Sequence, residues 1–366
     1  MSENADTENL EERLVREELA KKRSKDRLHL YISIALVTCS AYFYIDLRGF
    51  RIEAEKLNVT MRNYLDFLPV VFVALFWLWL RNLFQQLLSP HIDRFLESKG
   101  TAEQVAQRTK VIRQIYDMVY YFSIWAMSRW VVHDQDYPSC VGGLGDCNSL
   151  GKYWPNLPLN PKMKLYMIIQ FAHHLQNLIH HTWAYGYLAN YFEMITHHVG
   201  VIITIVVACF MNVEDWALMV LTLHDLSDGL LNFARVTRLL SKKWNPLQYT
   251  VILLLNIFWF YDRIFKMGYC YFGRMFRWLQ EDYGEYNQAW YHSRRLLYFS
   301  TVNLGLIFIL NIFWFYEIAS ISMSKLLKGK EIVIKHEGEV DKNLLKKQAQ
   351  EMLLAKRGPK QVAVAE

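Results

Sequence analysis

Residues 191–210 of this 366-residue chain read YFEMITHHVGVIITIVVACF. A helix of roughly 20 mostly apolar residues is long enough to cross the hydrocarbon core of a bilayer. This stretch also carries two adjacent histidines, His197 and His198. Ionisable side chains at bilayer depth are costly and usually face a bundle interior or a water-filled cavity. The segment therefore predicts a spanning helix that presents a polar site to the inside of a bundle.

Further apolar stretches of similar length lie on both sides of this segment. Polar ends dilute them in the overall composition, since residues 1–27 alone carry seven basic and eight acidic side chains. Trp and Tyr gather near the ends of the apolar stretches, where amphipathic rings suit the headgroup region. We therefore predict an all-α, polytopic transmembrane helix bundle of about eight spanning helices. The predicted spans are 28–45, 67–88, 111–132, 163–182, 191–210, 214–234, 248–272 and 297–323.

Basic residues predict how the chain is oriented in the membrane. Lys and Arg are frequent in the C-terminal tail and in the 235–243 connection, which predicts that both termini are cytosolic. The 46–66 loop also carries four basic residues, although it would be lumenal in this topology.

The polar and apolar stretches divide the chain into four regions. They are a polar tail at 1–27, a first span and lumenal loop at 28–56, a transmembrane catalytic domain at 57–330 and a charged tail at 331–366.

The predicted lumenal loops hold two patterns that depend on their compartment. Asn58-Val59-Thr60 is an N-glycosylation acceptor pattern, which has meaning only if that loop faces the lumen. Cys140 and Cys147 share another predicted lumenal loop. An oxidising compartment would allow them to form a disulfide. Two free thiols are the alternative.

Polar and ionisable side chains are concentrated in three consecutive predicted spans, and this concentration is the strongest functional signal in the sequence. Residues three or four positions apart lie on one helical face. In the sixth span this places Asp225 and Asp228 together, and His224 with Asp228. The same face continues through Asn232 and Arg235, and we call this stripe of polar residues the polar seam. The groups are His173, His174, His180 and His181 in the fourth span, Glu193, His197 and His198 in the fifth, and His224, Asp225, Ser227, Asp228, Asn232 and Arg235 in or just after the sixth.

Paired histidines and aspartates have a clear chemical use. A carboxylate can fix the tautomer of an imidazole and stabilise its positive charge when it takes up a proton. Such a unit can deprotonate an amine, or the imidazole can itself attack an activated acyl group. The alternative is a buried polar network that only fixes helix packing. For the four histidines of the fourth span, packing is the favoured interpretation, because nothing in their spacing requires chemistry.

At these residues the chain resembles the ceramide synthases of the TLC-domain family. The resemblance is carried by Tyr191-Phe-Glu-Met-Ile-Thr-His197-His198 and by the following Leu223-His224-Asp225-Leu-Ser227-Asp228. It covers roughly residues 57–330. The chain differs from the usual pattern of that family at three positions, Asn190, Val201 and Asn232.

The resemblance implies a multi-pass enzyme of the endoplasmic reticulum membrane. Its implied reaction transfers a fatty acyl group from acyl-CoA to the amino group of a sphingoid base. His197 and His198 would match the essential histidines of the family, and Asp225 and Asp228 the essential aspartates. The resemblance implies no cofactor and no metal, with acyl-CoA as co-substrate. The expected partners are the two substrates and the lipid bilayer, with no nucleic acid, and a homo- or hetero-dimer is left open.

Two other functions remain open at this stage. One is a membrane di-iron lipid hydroxylase or desaturase, because imidazole suits iron. Enzymes of that type use HxxxH and HxxHH arrangements, whereas this chain offers adjacent pairs beginning at His173, His180 and His197. The other is a non-enzymatic TLC-domain protein that binds or senses lipid, which the differences at Asn190 and Val201 keep open.

Overall fold

A computed structural model describes most of the predicted transmembrane domain. Within the described residues all regular structure is helical and no strand is present, so the predicted all-α bundle is confirmed. The predicted tails and almost all of the first span lie outside the described residues. The described ranges are 44–99, 108–133, 147, 150–158, 160–183, 191–240, 246–281 and 287–328.

Each predicted span from 67–88 onward is matched by a helix, but the helix at 67–88 ends 11 residues later and the helix at 297–323 begins 10 residues earlier than predicted. The 191–210 span is reproduced residue for residue. The 248–272 span is continuous but changes type, because its second half is π-helical. We number the helices α1 (44–56), α2 (Pro69–Lys99), α3 (Arg108–Val132), α4 (Pro161–Trp183), α5 (Tyr191–Phe210), α6 (Glu214–Leu240), α7 (Pro246–Phe258), the π-helical segment (Trp259–Phe272), α8 (Gly273–Trp278) and α9 (Asn287–Lys328).

Three stretches within the described residues are long and apolar enough, by length and composition, to cross a membrane. They are Leu65–Ile92, Glu193–Phe210 and Ala289–Met323. In an apolar window of 18 residues, only 11% of the first stretch is buried, against 61% of the second. The first therefore presents an apolar surface outward, as a lipid-facing helix does, while the second lies inside the bundle.

Helix α6 lies at the centre of the bundle. All residues from 213 to 225 are buried, and the helix packs against α3 along its length and also contacts α4, α5, α7, α9 and the π-helical segment. Most of these buried residues are apolar, including Trp216 and Met219 in the main core. The polar seam of α6 is consequently enclosed by other helices.

A tight turn at residues 211–213 joins α5 to α6 and sets their relative depth. Asn212 adopts a left-handed conformation there (φ 55°) and donates hydrogen bonds to the carbonyl oxygens of Thr60 and Pro155. His197 and His198 lie roughly 14 residues before this turn, and His224 to Asp228 a similar number after it. Because both helices rise about 1.5 Å per residue, the two groups meet at the same depth.

Helix α9 approaches α5 closely next to the paired histidines. The Asn303 side chain donates a hydrogen bond to the Gly200 carbonyl at 2.8 Å. A Cβ atom at Gly200 would lie 2.8 Å from Cδ1 of Ile307. Glycine at this position therefore allows α9 to close the cavity beside the histidines.

Candidate functional site

The structure places three of the four predicted catalytic residues, His197, Asp225 and Asp228, around one narrow cavity inside the bundle. His198 is not among the lining residues but contacts one of them, His174. Its polar lining residues come mainly from helices α4, α5 and α6. Its apolar wall comes from α5, α6 and α9, with Tyr121 from α3. The lining residues are Tyr121, His174, His197, Val201, Thr204, Val220, Leu221, His224, Asp225, Asp228, Leu304 and Ile307.

Three buried histidines form the nitrogen-rich part of this site. His174 Nδ1 and His198 Nδ1 lie 3.1 Å apart, so one imidazole donates a hydrogen bond to the other. The His197 ring lies 5.9 Å from His174 and 5.3 Å from His198, measured between ring centroids. Trp314 of α9 packs against His197, at 5.7 Å. Sequence reasoning favoured a packing role for His174, but the structure places it on the cavity.

The other histidines of α4 lie away from this group. His173 stacks on Tyr120, with ring centroids 3.6 Å apart, and its Nε2 accepts a hydrogen bond from Asn177. His180 contacts the Arg113 guanidinium at 3.4 Å. The side chain of His181 lies outside the described part of the structure. The packing interpretation therefore fits the surroundings of His173 and His180.

Asp225 is held by neutral donors from α4. One of its carboxylate oxygens accepts hydrogen bonds from the Tyr166 hydroxyl at 3.0 Å and from Gln170 Nε2 at 2.8 Å. The Tyr120 hydroxyl donates to Gln170 Oε1, which fixes the orientation of the amide. The Asp225 carboxyl group is therefore locked in place although it borders the cavity.

Asp228 pairs with an arginine from the π-helical segment. Arg263 Nη2 lies 2.5 Å from Asp228 Oδ1 and also donates to the His224 carbonyl at 2.8 Å. Its Nε donates to the Ser227 hydroxyl at 2.5 Å. Ser227, a member of the predicted seam, thus contacts the site indirectly, through Arg263 and the α6 backbone.

Both ring nitrogens of His224 are occupied. Nδ1 lies 2.7 Å from the Val220 carbonyl, which can only accept, so Nδ1 carries the proton. Nε2 therefore accepts a hydrogen bond from Asn311 Nδ2, at 2.9 Å. This pairing holds His224 as the neutral Nδ1-protonated tautomer. The predicted interaction between His224 and Asp228 is thus replaced by bonds to Val220 and Asn311, and proton transfer falls to the other imidazoles.

The remaining predicted residues lie outside the cavity. Asn232 donates to the Asp228 carbonyl one turn earlier in α6, and Arg235 is buried further along the same helix. Asn58 is exposed and adopts a left-handed conformation (φ 56°), just after α1. Cys147 is buried and disulfide-bonded, while Cys140 lies outside the described residues.

The three imidazoles of His174, His197 and His198 are also the group that could hold a metal. One ligand atom from each lies within 4.8 Å of the others. Three histidines with an open position form a known ligand set for zinc. The same nitrogens can instead accept and return protons.

Two residues in the C-terminal half of the bundle support the site and were not predicted from the sequence. Arg263 and Asn311 both contact predicted site residues, and both are fully buried. Arg263 lies inside an apolar predicted span, and an ionisable side chain at such a position is itself a functional signal. Asn311 carried no comparable signal, because its partner on α6 is 87 positions away in the sequence.

Comparison with known proteins identifies the part of the chain that surrounds the cavity. A family model described as the TLC domain matches residues 110–320. The match covers more than half of the chain and includes every residue that lines the cavity. No curated protein matches the chain.

Proposed function

The chain belongs to the TLC-domain family, and on this basis we propose that it is a ceramide synthase, an acyl-CoA-dependent N-acyltransferase acting on a sphingoid base. The observation that carries the proposal is the arrangement of the site. His197 of α5 and the two aspartates of α6 border one cavity inside the matched domain, and His198 contacts His174, which also borders it. A buried site of this kind can hold a reactive acyl group away from water.

The reaction requires an imidazole close to the amine. The amine nitrogen attacks the thioester carbonyl carbon, the carbon–sulfur bond breaks, and coenzyme A leaves as a thiolate. One of His197 and His198 accepts the proton that the amine loses and returns it to the departing sulfur. Asp225 and Asp228 stabilise the imidazolium that forms in between.

A two-step route uses the same residues. One of the paired imidazoles attacks the thioester first, giving an acyl-imidazole and free coenzyme A. The amine then attacks this acyl group and restores the imidazole. Two adjacent histidines suit this route, because one can carry the acyl group while the other moves the proton.

The apolar wall of the cavity suits a fatty acyl chain. Val201, Val220, Leu221, Leu304 and Ile307 line it beside the polar groups. Contact with such side chains removes apolar surface of the acyl chain from water. The thioester would therefore lie at the histidines, with the hydrocarbon chain along this wall.

We further propose that the enzyme lies in the endoplasmic reticulum membrane with both termini in the cytosol. Asn58 is exposed in a turn, so its side chain is accessible for glycosylation if the loop before α2 is lumenal, as this orientation requires. A mobility shift removed by endoglycosidase, and lost in Asn58→Gln, is the expected result. Absence of the shift in the wild type would contradict the proposed orientation of that loop.

The three-histidine group favours one second candidate, a metal-dependent lipid-modifying enzyme. Its test is metal content. The acyltransferase proposal predicts far less than one transition-metal ion per purified chain, and activity that survives chelators. A stoichiometric metal lost in His174→Ala, together with loss of activity on chelation, would favour the metal enzyme instead.

Complementation tests the proposal in cells. Expression in cells that lack ceramide synthase should restore ceramide, and His198→Ala at equal expression should not. A TLC-domain protein that only binds or senses lipid would fail to restore ceramide even when well expressed.

A further inference from the structure

Arg263 is the most enclosed charged group near the cavity. It is 1% exposed and lies in the π-helical segment, and its guanidinium packs over the Trp259 ring at 3.9 Å. Wide π-type turns within a helix are rare and often occur at functional sites. An arginine in such a place needs partners that satisfy its donors.

All the hydrogen-bond partners of this guanidinium belong to the site or its support. It contacts the Asp228 carboxylate, the Ser227 hydroxyl and the His224 carbonyl on α6, and Asn311 Oδ1 on α9 at 3.3 Å. Two of these residues, His224 and Asp228, line the cavity. One side chain thereby joins three helical elements behind the polar wall.

We propose that Arg263 is a positioning residue for the acyl transfer, holding Asp228 and the neutral His224 ring in place through a single guanidinium. The inference rests on the proposed function, because it assigns Arg263 to that reaction. Because Arg263 acts through its neighbours, replacing it should slow the chemical step and lower kcat.

The contact with Asn311 extends this control to a ring that Arg263 does not touch. An asparagine amide can be flipped by half a turn unless its partners decide its orientation. Here the guanidinium donates to Oδ1, so Nδ2 must face His224 Nε2. Removing the guanidinium therefore frees the amide that donates to His224 Nε2, so the ring loses the hydrogen bond that holds this nitrogen as an acceptor.

Lysine cannot reproduce this arrangement. An ammonium is a compact point charge, whereas the planar guanidinium presents five N–H donors in a fixed fork. Arg263→Lys keeps the charge but cannot reach all of the partners together. It should therefore recover only part of the activity lost in Arg263→Gln.

The same segment offers a matched control. Lys266 is also buried and forms an ion pair with Asp262 at 2.9 Å, within one turn of Arg263. Both substitutions, Arg263→Gln and Lys266→Gln, leave a carboxylate inside the bundle without its cation: Asp228, 18% exposed, or Asp262, 8% exposed. The described contacts of Lys266, with the Asp262 carboxylate and the Tyr261 ring, both lie within its own segment and away from the cavity lining. Its loss should therefore lower stability without altering the chemical step.

The experiment measures kcat, KM and thermal unfolding for wild type, Arg263→Gln, Arg263→Lys, Lys266→Gln, Asp228→Asn and the double variant Arg263→Gln/Asp228→Asn. We expect kcat of Arg263→Gln to fall about 100-fold, the size of effect that misplacement by 1 Å can have. KM for acyl-CoA should change little. Arg263→Lys should lie between wild type and Arg263→Gln, and Lys266→Gln should keep the wild-type kcat.

Non-additivity decides whether Arg263 acts through Asp228. In the Asp228→Asn background, Arg263→Gln should lower kcat by much less than it does alone. The proposal would be overturned if the effects of Arg263→Gln and Asp228→Asn on kcat were fully additive. It would also be overturned if Lys266→Gln lost as much kcat as Arg263→Gln. If the wild type transfers no acyl group, the proposed function fails instead, and the unfolding measurements still show whether Arg263 and Asp228 are coupled.

Discussion

Two arginine–carboxylate pairs inside the bundle join distant parts of this chain, and they differ in what surrounds them. Arg62 and Glu214 are 4% and 2% exposed, and they meet near the turn between α5 and α6. Arg263 and Asp228 are 1% and 18% exposed, and they meet at the cavity wall. Only the second pair has a carboxylate that borders the cavity.

The difference lies in the neighbours, because both arginines are almost fully enclosed. Arg62 also reaches the Asn160 carbonyl, so its pair ties loop segments to the start of α6. Arg263 contacts the residues that line the site. We therefore assign the first pair to stability and the second to turnover, and the predictions below test that division.

The largest effect is expected from the paired histidines. His197→Ala and His198→Ala should each lower acyl transfer by at least about 1,000-fold, because general acid–base and nucleophilic roles are both removed. Product per folded molecule, read by mass spectrometry, is the measurement. His180→Ala is the control, since His180 contacts Arg113 outside the cavity and its loss should leave turnover near wild type. Normal turnover in both paired variants would show that the assigned mechanism is wrong.

The next effect concerns the pair at the cavity wall. Asp228→Asn should lower kcat by roughly 100-fold, because the amide cannot stabilise an imidazolium as a carboxylate does. Its unfolding temperature should change much less than that of an Arg62 variant. A wild-type kcat in Asp228→Asn would remove the distinction between the two pairs.

The pair at the α5–α6 turn should show the reverse pattern. Arg62→Gln leaves the Glu214 carboxylate buried without its cation, and breaking a buried pair in this way typically costs about 3–5 kcal/mol. Unfolding of the purified protein in detergent should reveal that loss, while the fraction that remains folded should turn over substrate at nearly the wild-type rate. If folded Arg62→Gln lost as much kcat as Asp228→Asn does, the Arg62–Glu214 pair would belong to the site.

The smallest effect on turnover is expected at the cysteine-bearing loop. We propose that Cys140 is the disulfide partner of Cys147. Cys140→Ser should then lower the stability of the loop around Cys147, since a disulfide typically contributes about 2–4 kcal/mol. Limited proteolysis at that loop is the measurement, with acyl transfer recorded in parallel. A loss of transfer larger than that of Asp228→Asn would move the site to this loop.

The sequence predicts where most of the helices lie, because each long apolar stretch inside a membrane has to be helical. It predicts helix ends less well, since α2 and α9 continue into polar residues beyond their predicted spans. The predicted 191–210 span is an example, since an apolar run of that length permits little else inside a membrane. The depth of the site was also predictable, because a short turn between α5 and α6 forces His197 and Asp228 to similar levels. The TLC-domain part of the resemblance is confirmed by the family match over residues 110–320.

What could not be predicted are the contacts that depend on how distant helices pack. Spacing within α6 suggested that His224 pairs with Asp228, but α9 brings Asn311 to the ring and the π-helical segment brings Arg263 to the carboxylate. Helical periodicity gives the face of a residue and not its partner across the bundle. For the same reason His174 could not be separated from His173, although only His174 borders the cavity.

The most direct test of the central claim is an assay of purified protein in detergent with a sphingoid base and a panel of acyl-CoA donors. We predict N-acylated product from the wild type and none from His198→Ala, with the yield depending on acyl chain length. No product from well-folded wild-type protein across the whole panel would contradict the claim that this site transfers acyl groups.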